Sequence, residues 1–175
     1  LREAYQNPAS LMRFPAGPLP ASHVGRRTAA WDELLRRLDE SGILQVAPAE
    51  SVPRGPSGED LRATVFAVRK DEEQDRSILN RQRRNAVEER VDGVTPTFPH
   101  GSQLAELVLG PGEKLRISAD DLPDYYHTLG VTSERARTNA FGPTLSSEDA
   151  KRLCGRAWTA MEAEDRERAE TSDRV

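Results

Sequence analysis

A chain of 175 residues with 36% hydrophobic and 31% charged residues, 12 prolines and 12 glycines offers thin material for a core, so part of it is expected not to pack. A net charge of −4 excludes a globally basic nucleic-acid binder, though not a local basic groove. The single cysteine, Cys154, excludes an internal disulfide, and no apolar run approaches the roughly 20 residues that a membrane helix needs.

Residues 1–27, with Pro8, Pro15, Pro18 and Pro20 among scattered apolar residues, read as an irregular lead-in. A helix is predicted next. Thr28 can cap it, Trp31, Leu34, Leu35 and Leu38 fall on one face at the i, i+3, i+4, i+7 spacing, and Gly42 supplies the stop. The short apolar run Ile43-Leu44-Gln45-Val46 precedes a Pro/Gly/Ser loop over residues 47–60. The β-branched and aromatic content of residues 63–70, a polar break and the run 76–81 predict an antiparallel hairpin, with 64–69 paired to 76–81. Residues 86–103 read as loop, with Gly93, Pro96 and Pro99 as its punctuation. The stretch 102–110 is a short helix or strand, and residues 114–120 are predicted as a strand leading into Asp120-Asp121-Leu122-Pro123-Asp124-Tyr125-Tyr126-His127. Ser146, with Asp149 three residues on, opens a last helix whose apolar face is Ala150, Leu153, Cys154, Ala157, Trp158 and Met161. Residues 162–175 hold six acidic and three basic residues and almost nothing apolar, so this tail is expected to be solvated or frayed.

Two clusters carry chemistry. Arg76, Arg81, Arg83 and Arg84 lie within nine residues with no acid among them. Guanidinium groups this close can clamp phosphates through paired hydrogen bonds, or simply solvate a strand end. Asp120 and Asp121 would sit where a strand leaves a sheet, a place where one or two carboxylates can hold Mg²⁺ with help from substrate phosphates; an acidic turn is the plainer alternative. His127 has no second histidine or cysteine at a zinc-like spacing, and Cys154 on an apolar face reads as core. No phosphate-binding glycine loop and no nucleophile elbow occurs.

The order of these pieces resembles the fingers and first palm segment of a reverse transcriptase, over roughly residues 31–142. Ser41-Gly42-Ile43-Leu44 is similar to the Gly-Ile-Ile that ends the family's helix. Val65, Phe66, Val68, Arg69, Lys70, Arg76 and Asn85 fit its fingers hairpin. Asp121, Leu122, Asp124, Tyr126, His127, Leu129 and Val131 fit its first catalytic segment. The resemblance implies a catalytic, metal-binding Asp121, which the spacing to Tyr126 favours over Asp120. It also implies a substrate-binding Tyr126 beneath the incoming sugar, Lys70 and Arg76 on the triphosphate, and Mg²⁺ as cofactor. Arg81, Arg83 and Arg84 would contact nucleic acid. Asn80 and Gln82 replace the family's hairpin aspartate and arginine, Pro123 follows Leu122, and Tyr125 stands at a usually small position. The family's second block, an aromatic residue followed shortly by Asp-Asp, occurs nowhere after residue 131.

The expected fold is therefore α+β, a partial fingers and palm. An N-terminal helix and a fingers hairpin lie within residues 28–161, with helices packed on an incomplete palm sheet. Asp121 should end a strand, with Tyr126 on the same side, facing Lys70 or Arg76 across an open groove. The implied partners are template–primer nucleic acid, a deoxynucleoside triphosphate and the remaining segments of a longer polyprotein. With no signal-peptide pattern and one cysteine, the expected location is intracellular, in cytoplasm or nucleus, and the start at Leu1 points to a fragment or processed product. As such a fragment the chain is expected to be inactive alone. From a different class stand a non-catalytic module binding nucleic acid or protein through its arginines, and a remnant without function.

Overall fold

The computed structural model describes residues 6–13, 15, 17–21, 24–90, 100–121 and 130–175. The loop punctuation at Gly93, Pro96 and Pro99 lies outside them. Helix α1 (Ala29–Glu40) begins where Thr28 Oγ1 accepts a hydrogen bond from the Trp31 amide at 3.3 Å, and it closes at Ser41 with Gly42 in the left-handed region at φ +72°. That is the predicted start and stop. Strands β1 (Thr64–Arg69) and β2 (Asp75–Asn80) pair antiparallel from Thr64↔Asn80 to Arg69↔Asp75, one residue from the predicted end of the second strand. Helix α2 (Gln82–Val87) follows where strand end and loop were predicted, and α3 (Gly101–Ala105) makes the first part of the ambiguous stretch helical, while residues 107–110 are in no regular element. Then come α4 (Ser133–Arg137), α5 (Ser147–Leu153), α6 (Gly155–Ala160) and α7 (Ala163–Ser172). Helices and an antiparallel hairpin in one chain make the class α+β.

The core is helix on helix. Leu35 of α1 packs with Leu145, Ala150, Leu153, Cys154, Ala157, Trp158, Met161 and Ala169, and Trp31, Leu44, Val46, Phe141 and Val175 close around them. Trp31 stacks on Phe141 with centroids 5.9 Å apart. Gly142 turns beside that pair at φ +77°, where a Cβ would come 3.2 Å from the indole ring, so both backbone conformation and space favour glycine. The predicted apolar face of residues 150–161 is buried as read, but the helix breaks at Cys154 (φ −129°, ψ 44°) into α5 and α6. Asp39 explains how the break is tolerated. Its buried carboxylate accepts from the Arg156 and Ala157 amides, at 3.0 and 2.7 Å, and so satisfies donors that the new helix start leaves open.

Three expectations are corrected. Among the described residues the sheet has two strands, and the helices pack on one another rather than on a palm sheet. Residues 113–121 form no strand: alternation alone does not make one without a neighbour to complete the ladder, and Leu115 and Ile117 stay exposed. The tail is mostly solvated, one of its two expected states, but it is not frayed. Residues 163–172 are helical because Ala169 is fully buried, Ser147 Oγ donates to the Ala169 carbonyl, and Val175 exchanges backbone bonds of 2.8 and 3.0 Å with Leu145. Part of the lead-in is ordered too. Leu11 is buried, and residues 11–13 bond to the backbone at Val87–Glu89.

Candidate functional site

The hairpin is built by local chemistry. Asp71 Oδ1 accepts from the Glu73 and Gln74 amides at 3.0 and 2.8 Å, and the Lys70 amide donates to the Gln74 carbonyl at 3.0 Å. An aspartate at the head of a tight turn offers its side chain to the backbone in this way. The register sets Val68 opposite Arg76 and Phe66 opposite Ile78. By the two-residue alternation of a strand, Phe66, Val68, Arg76 and Ile78 share one face, and Lys70 continues that series at the turn. Phe66 and Val68 are each 47% exposed, so this face is open. Lys70 Nζ touches only the neutral Gln74 Oε1, at 3.2 Å, and Arg76 makes no hydrogen bond or ion pair. The two cations assigned to the triphosphate thus share an exposed face and neither is in an ion pair, although the turn between them carries Asp71, Glu72, Glu73 and Asp75.

The other arginines are placed differently. Arg84 is 1% exposed; its guanidinium donates to Glu88 Oε2 at 2.9 Å and reaches Met12 Sδ and the Pro8 carbonyl. Arg81 also donates to Glu88, at 3.3 Å, and Arg135 of α4 bonds the other oxygen of the same carboxylate. Arg83 donates to the Asp60 and Pro20 carbonyls at 2.8 and 2.5 Å. Arg81, Arg83 and Arg84 therefore fasten the segments around α2 to each other instead of forming a shared basic surface. The cluster read as free of acid finds one four residues beyond Arg84, a spacing at which helical side chains meet. Burial pushes the Glu88 carboxyl upward, but its bonds to Arg135 and Arg84 outweigh that and hold it below the usual carboxylate range.

Asp121 is exposed, in no regular element, and neither it nor Asp120 forms a hydrogen bond or ion pair. Nothing links Asp121 to Lys70 or Arg76. Tyr126 lies outside the described residues, as do Leu122, Asp124, His127 and Leu129. For Mg²⁺ the donor set fits in kind, since exposed carboxylate oxygens without a competing cation are what the ion takes. It falls short in number: among the described residues no group of three acidic, histidine or cysteine side chains gathers. A groove of about 720 Å³ does exist, but it runs between residues 42–62, 130–145 and the C-terminal helices, and none of Lys70, Arg76 and Asp121 lines it.

Sequence reasoning missed Glu88, Arg135 and Asp39. The Arg84–Glu88 spacing was a readable signal for the first. Arg135 and Asp39 act across 47 and 117 positions, where no local pattern reaches. No protein-family model matches the chain, and comparison with curated proteins and solved structures yields no significant match.

Proposed function

We propose that the chain supplies the fingers and first palm segment of a reverse transcriptase-like, RNA-directed DNA polymerase, with template–primer nucleic acid and a deoxynucleoside triphosphate as partners. The observation that carries this is the hairpin: Lys70 and Arg76 share its open face, adjoining a tight turn, and neither is held in an ion pair. Two such donors suit a triphosphate, whose oxygens accept charge-assisted hydrogen bonds. Asp121 would hold Mg²⁺ together with the nucleotide's phosphates, and the ion would offset charge on the transferring group. Tyr126 would bear on the sugar. Engagement of Arg81, Arg83 and Arg84 by internal acceptors weakens the rival reading, a purely electrostatic module working through those residues.

Titration of the isotope-labelled chain with a deoxynucleoside triphosphate and Mg²⁺, followed by amide NMR, tests the proposal. Shifts should centre on residues 69–76 and 120–121, and a Lys70→Ala, Arg76→Ala pair should weaken binding by at least about tenfold, the worth of one charge-assisted bond. Shifts confined to other residues would sink it. Primer extension by the 175-residue chain should stay at background, because only one of two carboxylate blocks is present in it. Incorporation that vanishes in Asp121→Ala would show instead that the site is complete without the second block.

A further inference from the structure

The run Ile43-Leu44-Gln45-Val46 lines the groove that none of Lys70, Arg76 and Asp121 reaches. It alternates with period two: Leu44 and Val46 pack against the core, while Ile43 and Gln45 are exposed. That is the pattern of a half-buried strand. Yet no hydrogen bond reaches any backbone group of residues 44–47, although Ile43 before them and Ala49 after them are tied to Leu38 and Arg174. A strand edge with free amides and carbonyls is a template for another strand. This one forms a wall of the 720 Å³ groove.

The charged side chains of the groove lining lean positive, with Asp60, Glu162 and Asp165 as its acids. Four arginines line it, and two are committed: Arg62 to Asp60, the Gly142 carbonyl and Thr144, and Arg137 to Asp165 at 2.6 Å. Arg54 makes one long bond to the Gly58 carbonyl, at 3.3 Å, and the exposed Arg174 side chain makes none. Against these two guanidinium groups stands one unengaged acid, Glu162.

We propose that this groove binds an extended, acidic peptide segment of a partner protein, which adds a strand to the edge at residues 43–47 and sets carboxylates against Arg54 and Arg174. Main-chain bonds supply affinity in this mode, and alternate side chains supply choice. About five residues of strand, roughly 17 Å, cover the edge.

Fluorescence anisotropy with a labelled seven-residue peptide, Asp-Val-Ser-Val-Ser-Val-Asp, is the test. Two controls accompany it: the same peptide with lysine at both ends, and one N-methylated at every residue after the first, which cannot donate backbone bonds to a strand edge. Binding of the acidic peptide below about 1 mM is expected. It should weaken about tenfold with either control, the equivalent of one lost bond or ion pair. Gln45→Pro, at an exposed position whose amide has no partner to lose, should weaken it similarly, as should Arg174→Glu, which leaves the Arg174 carbonyl in place. Amide exchange at residues 44–47 should slow on binding. Equal affinity for all three peptides would reduce the groove to an apolar sink and overturn the proposal, as would no binding at 1 mM. Self-association of the chain that Gln45→Pro abolishes would make a second copy the occupant and overturn it too.

Discussion

The helical core and the hairpin treat the same kinds of side chain in opposite ways. In the core, Trp158 is 7% exposed and Lys151 Nζ lies 5.0 Å from the centre of its ring, while Arg27 is forked between Asp32 and Asp149. On the hairpin, Phe66 and Val68 lie open and Arg76 has no partner. The difference teaches where function can reside. Cations closed by acids hold segments together, whereas cations left open beside apolar surface are available to something else. Arg84 and Arg76 are eight positions apart and fall on opposite sides of that division, because Glu88 sits one helical turn from the first and no acid faces the second.

The largest effects should fall on the core side. Trp158→Ala should cost about 3–5 kcal/mol in a denaturant titration, the usual range for removing a buried aromatic ring. Glu88→Gln should cost a similar amount, about 3–5 kcal/mol, since it leaves the buried guanidinium of Arg84 without its counter-charge. This variant also carries a pH signature. Glu88 is held below its ordinary value in the folded chain, so its contribution is fully present above about pH 4.5, the unfolded value, and is lost as pH falls through the folded one. Wild-type stability should therefore drop on acidification below pH 4.5 more steeply than that of Glu88→Gln. Parallel acid limbs would show that Glu88 adds nothing through its charge.

What could be read from the sequence divides along the same line, and the reason is range. The Thr28 cap, the Gly42 stop, the hairpin and the Ser146 cap are each written within four to eighteen residues, and local chemistry decides them. The pairing of α1 with α6 through Asp39, and of α2 with α4 through Glu88 and Arg135, depends on which segments meet, which no spacing encodes. The strand expected at residues 114–120 failed for that reason: its alternation is present, but among the described residues no neighbour pairs with it. Of the candidate site, the shared face of Lys70 and Arg76 was legible because a hairpin's register follows from its turn. The fate of Arg81, Arg83 and Arg84 was legible only at the Arg84–Glu88 spacing, because the acceptors at Asp60, Pro20 and Pro8 are supplied by the tertiary fold.

Cys154 offers a reporter for the boundary between the two regions. Burial pushes its thiol up to about 11, with the Asp39 and Asp32 charges adding to the shift, so at neutral pH it is protonated as well as covered. A disulfide reagent should react with it only as fast as the core opens. Trp158→Ala should accelerate that reaction by the factor its stability loss dictates, and hairpin substitutions should leave the rate unchanged. Rapid labelling of the wild-type chain would mean that the α5–α6 break opens without global unfolding.

The smallest expected effect is the sharpest check on the division. Lys70→Ala and Arg76→Ala remove no hydrogen bond beyond the exposed one to Gln74, and they vacate no buried space. Surface changes of this kind stay within about 0.5 kcal/mol. Phe66→Ser should cost less than about 1 kcal/mol, since half of the ring already faces solvent and only its pairing across from Ile78 is weakened. Denaturant midpoints that barely move, together with lost nucleotide shifts at residues 69–76, would separate recognition from stability at these side chains. A loss of 2 kcal/mol or more at Phe66, Lys70 or Arg76 would mean instead that the hairpin packs on something within the chain. Its cations would then be structural, and the phosphate-binding role would fall with them.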